Sequence, residues 1–133
     1  MRILFLVLLI IMNSCSQKQE SKEEVVVKPI LKIHERLMFF DNEFLLDVNP
    51  ENFEKLDSGI KVSYVDDLII VTKLELTNAC PKYAGNIEIR KKSIILISKI
   101  VTDDFCDSNE IRKFTYIIKN PQKRKYKFSM RED

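Results

Sequence analysis

Residues 80–106 read CPKYAGNIEIRKKSIILISKIVTDDFC, with two alternating apolar runs on either side of the charged turn Arg90-Lys91-Lys92-Ser93. Ile87 and Ile89 mark one arm, and Ile94 to Ile100 the other. The midpoint of the two cysteines is position 93, inside the turn. A hairpin folded there brings Cys80 and Cys106 towards each other at its open end.

The same two-residue period runs through the flanking chain. Ile60, Val62 and Tyr64 alternate with Lys61 and Ser63, and Asp66-Asp67 makes a turn. Leu68, Ile70, Thr72, Leu74 and Leu76 then alternate, while Ile69 and Val71 make the start of this strand apolar on both faces, the pattern of a central strand covered on each side. Further on, Ile111 to Lys119 and Tyr126 to Met130 read as a last pair around Asn120 to Lys125. A short helix is expected over about 49–58: Asn49 can cap it, Pro50 suits its first position, Glu51 complements its dipole, and Gly59 offers a left-handed stop.

Residues 30–46 fit two templates. Ile30, Ile33, Leu37, Phe40 and Phe44 fall near helical spacing, whereas Asp41-Asn42-Glu43 between LMFF and FLLDV reads as a hairpin turn. Two short strands is the reading carried forward. The chain is therefore expected to be mainly β, a small antiparallel sandwich with one short helix. A sandwich is favoured over a closed barrel because barrel-corner glycines are missing.

Composition limits what such a domain can do. The chain has 133 residues and a mass of 15.7 kDa, room for one domain, with 45% hydrophobic residues to fill a core. Its net charge of +2 gives no argument for a nucleic-acid partner. With 2 glycines there is no Gly-rich phosphate loop. With His34 as the sole histidine and no closely spaced cysteines there is no HExxH, CxxC or Ser-His-Asp set. No catalytic residue, metal site or cofactor is expected, and the chain leans away from enzymatic activity.

The first thirty residues carry an address. Met1-Arg2 precedes an unbroken apolar run from Ile3 to Met12, about 15 Å long as a helix and too short to span a bilayer, which is the pattern of a secretory signal. Met12-Asn13-Ser14-Cys15 resembles the lipobox of bacterial lipoprotein precursors, with Ser14 as the small residue before the cysteine. The resemblance implies cleavage before Cys15 and a diacylglycerol on its sulfur; two acyl chains are enough for stable anchoring. An ordinary signal peptide cut nearby is the alternative. This gives a signal peptide over 1–14, a polar tether over 15–29 and one β-rich domain over 30–133. In the tether, Glu20, Glu23 and Glu24 fit either a sorting signal or a plain spacer, and Val25 to Val27, stopped by Lys28-Pro29, reads as an edge strand. The runs LTNACPKYAGNIEI, DDFC and FTYIIKNPQKRKYKF resemble small lipoproteins of the Bacteroidota with no assigned function. That likeness implies an exported domain, lipid-anchored in the cell envelope, on the periplasmic or surface face of the outer membrane.

Once Cys15 is assigned to lipid, Cys80 and Cys106 form an even set in an oxidising compartment, and a structural disulfide is expected. Four further features are candidates for function. Asp103, Asp104, Asp107 and Glu110 form an acidic loop without the spacing of a calcium site. Asp66 and Asp67 are further acids that could join that loop in a cleft. His34 reads as a surface residue. Lys123, Arg124, Lys125 and Lys127 make a basic turn, with Arg112 and Lys113 as candidate neighbours, suited to lipid phosphates or to a solvated hairpin end. Two functions follow as expectations. One is a non-enzymatic binding or assembly module with an envelope protein partner. The other is a small envelope enzyme or enzyme inhibitor acting through the acidic cleft.

Overall fold

The computed structural model describes residues 32–46 and 48–133. The export segment, Cys15, the tether and the strand expected at Val25–Val27 lie outside the described residues. In chain order the elements are β1 (Leu37–Phe44), a 3-10 helix (Pro50–Lys55), β2 (Lys61–Val65), β3 (Leu68–Asn78), β4 (Tyr83–Ile89), β5 (Ser93–Ile100), β6 (Asn109–Lys119) and β7 (Lys127–Glu132). They form a four-stranded sheet in the order β1-β6-β3-β2 and a three-stranded sheet in the order β4-β5-β7. The two sheets pack together, so the domain is the sandwich that the alternation pointed to.

The core lies where the inward positions of both sheets are apolar. Ile69 and Val71 of β3 and Phe114, Tyr116 and Ile118 of β6 meet Ile87 of β4 and Ile94 and Leu96 of β5. All of these are at most 3% exposed, and each fully buried aliphatic or aromatic side chain contributes roughly 1.5–3 kcal/mol. Phe40 of β1 stacks on Phe114 and meets Tyr116 edge-on, with centroids 6.0 and 5.1 Å away. Gly85 makes that approach possible: a Cβ there would lie 2.0 Å from the Phe40 ring. Tyr116 brings a hydroxyl into the core and donates it to the Ile97 carbonyl at 3.1 Å; burial pushes its phenol well above the usual value.

The central hairpin forms as expected. Tyr83 to Ile89 pair with Ile100 to Ile94, and Arg90 N donates to Ser93 O at 2.8 Å across the turn. Three expectations need correction. Asp41-Asn42-Glu43 is not a turn but the middle of a single strand, because β6 offers each residue a partner: Asp41 faces Thr115, Asn42 faces Phe114 and Glu43 faces Lys113. The helix over 49–58 is a 3-10 segment with Asn49 Oδ1 capping Glu51 N at 2.9 Å; it ends at extended Leu56, so Gly59 is not its stop and has no positive φ. The strands at 111–119 and 126–130 do not pair. β6 belongs to the larger sheet, and β7 crosses to the smaller one and runs parallel to β5. The crossing is fixed by Asn120, which is 1% exposed. Its amide N–H donates to Asp67 O at 2.6 Å, and its side chain bonds Arg124 O and N at 2.9 and 3.1 Å.

Candidate functional site

Cys80 and Cys106 are joined as a disulfide, with Cα atoms 5.7 Å apart. The residue that organises this end of the sandwich is Asn78, the last of β3. Its side-chain oxygen accepts from the amides of both cysteines, each at 3.2 Å, and its amide nitrogen donates to the Cys106 carbonyl. Its own carbonyl accepts from Tyr83 OH at 3.2 Å. Burial pushes the Tyr83 phenol above its usual value, and the nearby charges of Glu132 and Glu110 act in the same direction.

Towards this end the interior of the larger sheet changes character. Along β3 the inward series continues from Ile69 and Val71 into Lys73, Glu75 and Thr77. The register sets Glu75 across from Arg112 and Thr77 across from Glu110 on β6. Lys73 pairs with Glu75. Arg112 pairs with Glu110, and their side chains are only 16% and 12% exposed. The Arg112 guanidinium also donates to Asn42 Oδ1 on β1 and to the Ala79 carbonyl at 3.3 Å, and it lies 5.3 Å from the Tyr83 ring centroid. One cation thereby ties β1, β6, β4 and the connection that carries Cys80. It is an enclosed polar network in place of a closed apolar core.

The end so built leaves part of a central strand unpaired. β2 covers β3 only from Leu68 to Thr72, since Lys61 is its first residue and faces Thr72. β6 pairs the whole of β3 on the other flank. Among the described residues nothing pairs with Lys73 to Thr77 on the β2 side. Every second N–H and C=O there points away from β6. Two hollows border this open flank, one on each face of the sheet. The inner hollow, about 220 Å³, is lined by Glu75, Thr77, Tyr83, Ser98, Met130 and Glu132. The outer one, about 120 Å³, is lined by Lys61, Thr72, Leu74 and Lys113 with Asp57 and Gly59. Leu76, 43% exposed, stands beside them. A strand added at this edge would send alternate side chains to opposite faces of the sheet, where the two hollows lie. A larger apolar-lined cleft of about 560 Å³ lies at the same end, between Phe44, Leu46, Val48 and Pro50 on one side and Ala79 and Ser108 on the other.

The acids singled out from the sequence do not converge. Asp103, Asp104 and Asp107 are exposed on the loop before β6, while Glu110 turns inward to Arg112. Asp66 and Asp67 sit in the β2–β3 turn, at the other end of eleven-residue β3, about 34 Å away. A shared cleft of Asp66, Asp67 and the 103–110 loop is therefore ruled out by the length of one strand. Among the described residues there is no cluster of three or more His, Cys, Asp or Glu able to hold a metal ion. Arg112 and Lys113 are likewise remote from the basic turn, seven residues of β6, or about 24 Å, short of Lys119. His34 lies where the chain enters the domain; its N–H donates to Asn86 Oδ1 at 2.9 Å and its Nδ1 accepts from Arg36 N at 3.1 Å. Asn78, the Arg112 network and the open flank of β3 were not found from the sequence. The one local signal was the switch from Ile69 and Val71 to Lys73 and Glu75 at the inward positions of β3.

No family model, curated protein or solved structure matches the chain.

Proposed function

We propose that this protein is a lipid-anchored envelope module that binds an extended segment of a partner protein, without catalysis, along the open flank of β3. The observation that carries the binding role is the unpaired edge from Lys73 to Thr77 with a hollow on each face. An edge of this kind supplies main-chain hydrogen bonds for affinity and side-chain hollows for selection. The lipobox at Met12–Cys15 and the polar tether support the anchored location. The enzymatic alternative loses its support with the separation of Asp66 and Asp67 from the acidic loop.

The test is site-specific photo-crosslinking in cells that carry the full chain. A crosslinker at Leu76 is expected to give one discrete adduct, and the same group at Lys91 none. Leu74→Lys, next along the same face, is expected to weaken the adduct strongly. No adduct at Leu76, or the same adducts at both positions, would refute the edge as a binding site. The anchor is tested separately with globomycin: a precursor that fails to accumulate removes the lipoprotein half of the proposal.

A further inference from the structure

The end of the sandwich opposite the disulfide is cationic. The Arg90–Ser93 turn presents Lys91 and Lys92, the loop after β6 presents Lys123, Arg124 and Lys125, and the start of β7 presents Lys127, all exposed. The two connections form one surface, because Lys127 N donates to Lys92 O at 3.0 Å and the β5–β7 register starts at Ser93 and Lys127. Lys119 ends β6 beside them. Among the described residues none of these cations has a carboxylate within ion-pair distance, whereas the neighbouring Arg90 is paired with Glu88. The opposing charges at this end are Asp66 and Asp67 in the β2–β3 turn and Glu35 beside Arg36. At the other end stand Asp104 and Asp107, with Lys82 an exposed cation near Cys80. A body with this charge separation is turned by an anionic surface, its cationic end inward.

We propose that the basic end docks on the anionic lipid headgroups of the membrane and so holds the open flank of β3 away from the bilayer. Each lysine or arginine brought near such a surface raises the docked fraction about fivefold, and the attraction fades within about 8 Å in physiological salt. The tether does not choose the orientation. Lys32, whose carbonyl accepts from Asn86 Nδ2 at 3.2 Å, lies beside the middle of β4, about 14 Å along the strand from Arg90. The sixteen residues between Cys15 and Lys32 span at most about 55 Å, so either end can reach the bilayer and charge decides between them. The inference rests on the anchored location only to bring the domain to the surface.

The experiment uses the full chain, purified from host membranes and reconstituted into vesicles of phosphatidylcholine alone or mixed with phosphatidylglycerol. Amide hydrogen exchange is followed across 90–93 and 121–127. At low salt, exchange there is expected to slow on the phosphatidylglycerol vesicles only. The slowing should disappear at high salt and in a Lys91→Glu, Lys92→Glu, Lys123→Glu, Arg124→Glu variant whose core amides still exchange as in the parent. Equal exchange on the two vesicle types, or slowing confined to 103–109, overturns the proposal. So does equal slowing of 90–93 and 121–127 by an acidic peptide in the absence of vesicles, which would make the basic end a protein site. The mass of the N-terminal peptide from the same sample reports on Cys15 independently. An unmodified Cys15 would remove the anchor while leaving the exchange result to stand or fall alone.

Discussion

At one end of the sandwich a disulfide, an asparagine that serves both of its cysteines and a largely buried arginine hold four segments together; at the other, two lysine-rich connections meet through a backbone hydrogen bond. The apolar core ends short of the disulfide end, where Lys73, Glu75 and Arg112 occupy inward positions. A cross-link there does the work that apolar contacts do elsewhere. At the basic end Ile69, Ile118 and Phe128 bring the core close to the surface, and the buried Asn120 and the Tyr64 hydroxyl hold the loop after β6 without a cross-link. The difference separates two demands. A strand edge left open for a partner must stay ordered without being covered, whereas a charged surface that meets headgroups needs only to stay charged.

If the disulfide compensates for the shortened core, its loss should destabilise the domain more than the loss of any side chain in the polar network. The bond closes a loop of about 27 residues and restricts the unfolded chain by about 3.5 kcal/mol. Cys80→Ser together with Cys106→Ser is expected to lower the unfolding free energy by about that amount in urea titration. Reductant should do the same to the parent and nothing to the double variant. Matching stability of oxidised and reduced parent would mean that the polar network holds this end unaided.

The network itself is broken by Arg112→Met. The change keeps a long side chain but leaves Glu110 and Asn42 facing it without their cation. Removing one member of a largely buried pair costs about 3 kcal/mol, because the other charge stays desolvated. Glu110→Gln in the same chain should restore part of the loss. A single-variant cost below about 1 kcal/mol would show that water reaches Glu110 freely, as it does at surface pairs. The distinction between an enclosed and a solvated end would then fail.

The fold was legible because it rests on short-range signals. Alternation placed β2, β3, β4 and β5 and the turn of the central hairpin, and the cysteine spacing gave the disulfide once Cys15 was set aside. What alternation does not carry is partner choice. The period of 126–130 is satisfied equally beside β6 or beside β5, and the buried Asn120, which decides between them, looks like any loop asparagine in the chain. Asp41-Asn42-Glu43 has turn chemistry but also a polar partner for two of its three side chains: Arg112 for Asn42 and Lys113 for Glu43. Those partners lie some 70 residues away in sequence. The open flank of β3 was hidden for a simpler reason. It exists only because β2 has five residues and β3 eleven, a mismatch of lengths between neighbours that no single strand records.

The smallest expected effect sharpens the comparison from the basic end. Lys125 Nζ lies 3.6 Å from the centroid of the Tyr64 ring, whose hydroxyl accepts from Tyr126 N at 3.1 Å. Among the described residues Lys125 is the one cation of the loop with an aromatic partner, so it combines a structural contact with its share of the charge. An exposed contact of this kind contributes about 0.5–1 kcal/mol. Lys125→Met is expected to cost that much in urea titration, whereas Lys123→Met, which lacks a ring, should cost nothing measurable. Both variants should lower docking on phosphatidylglycerol vesicles equally, since each removes one charge. If Lys125→Met instead lowered stability as much as Arg112→Met, the basic end would be as tightly built as the disulfide end. Its cations could then not be regarded as free for lipid.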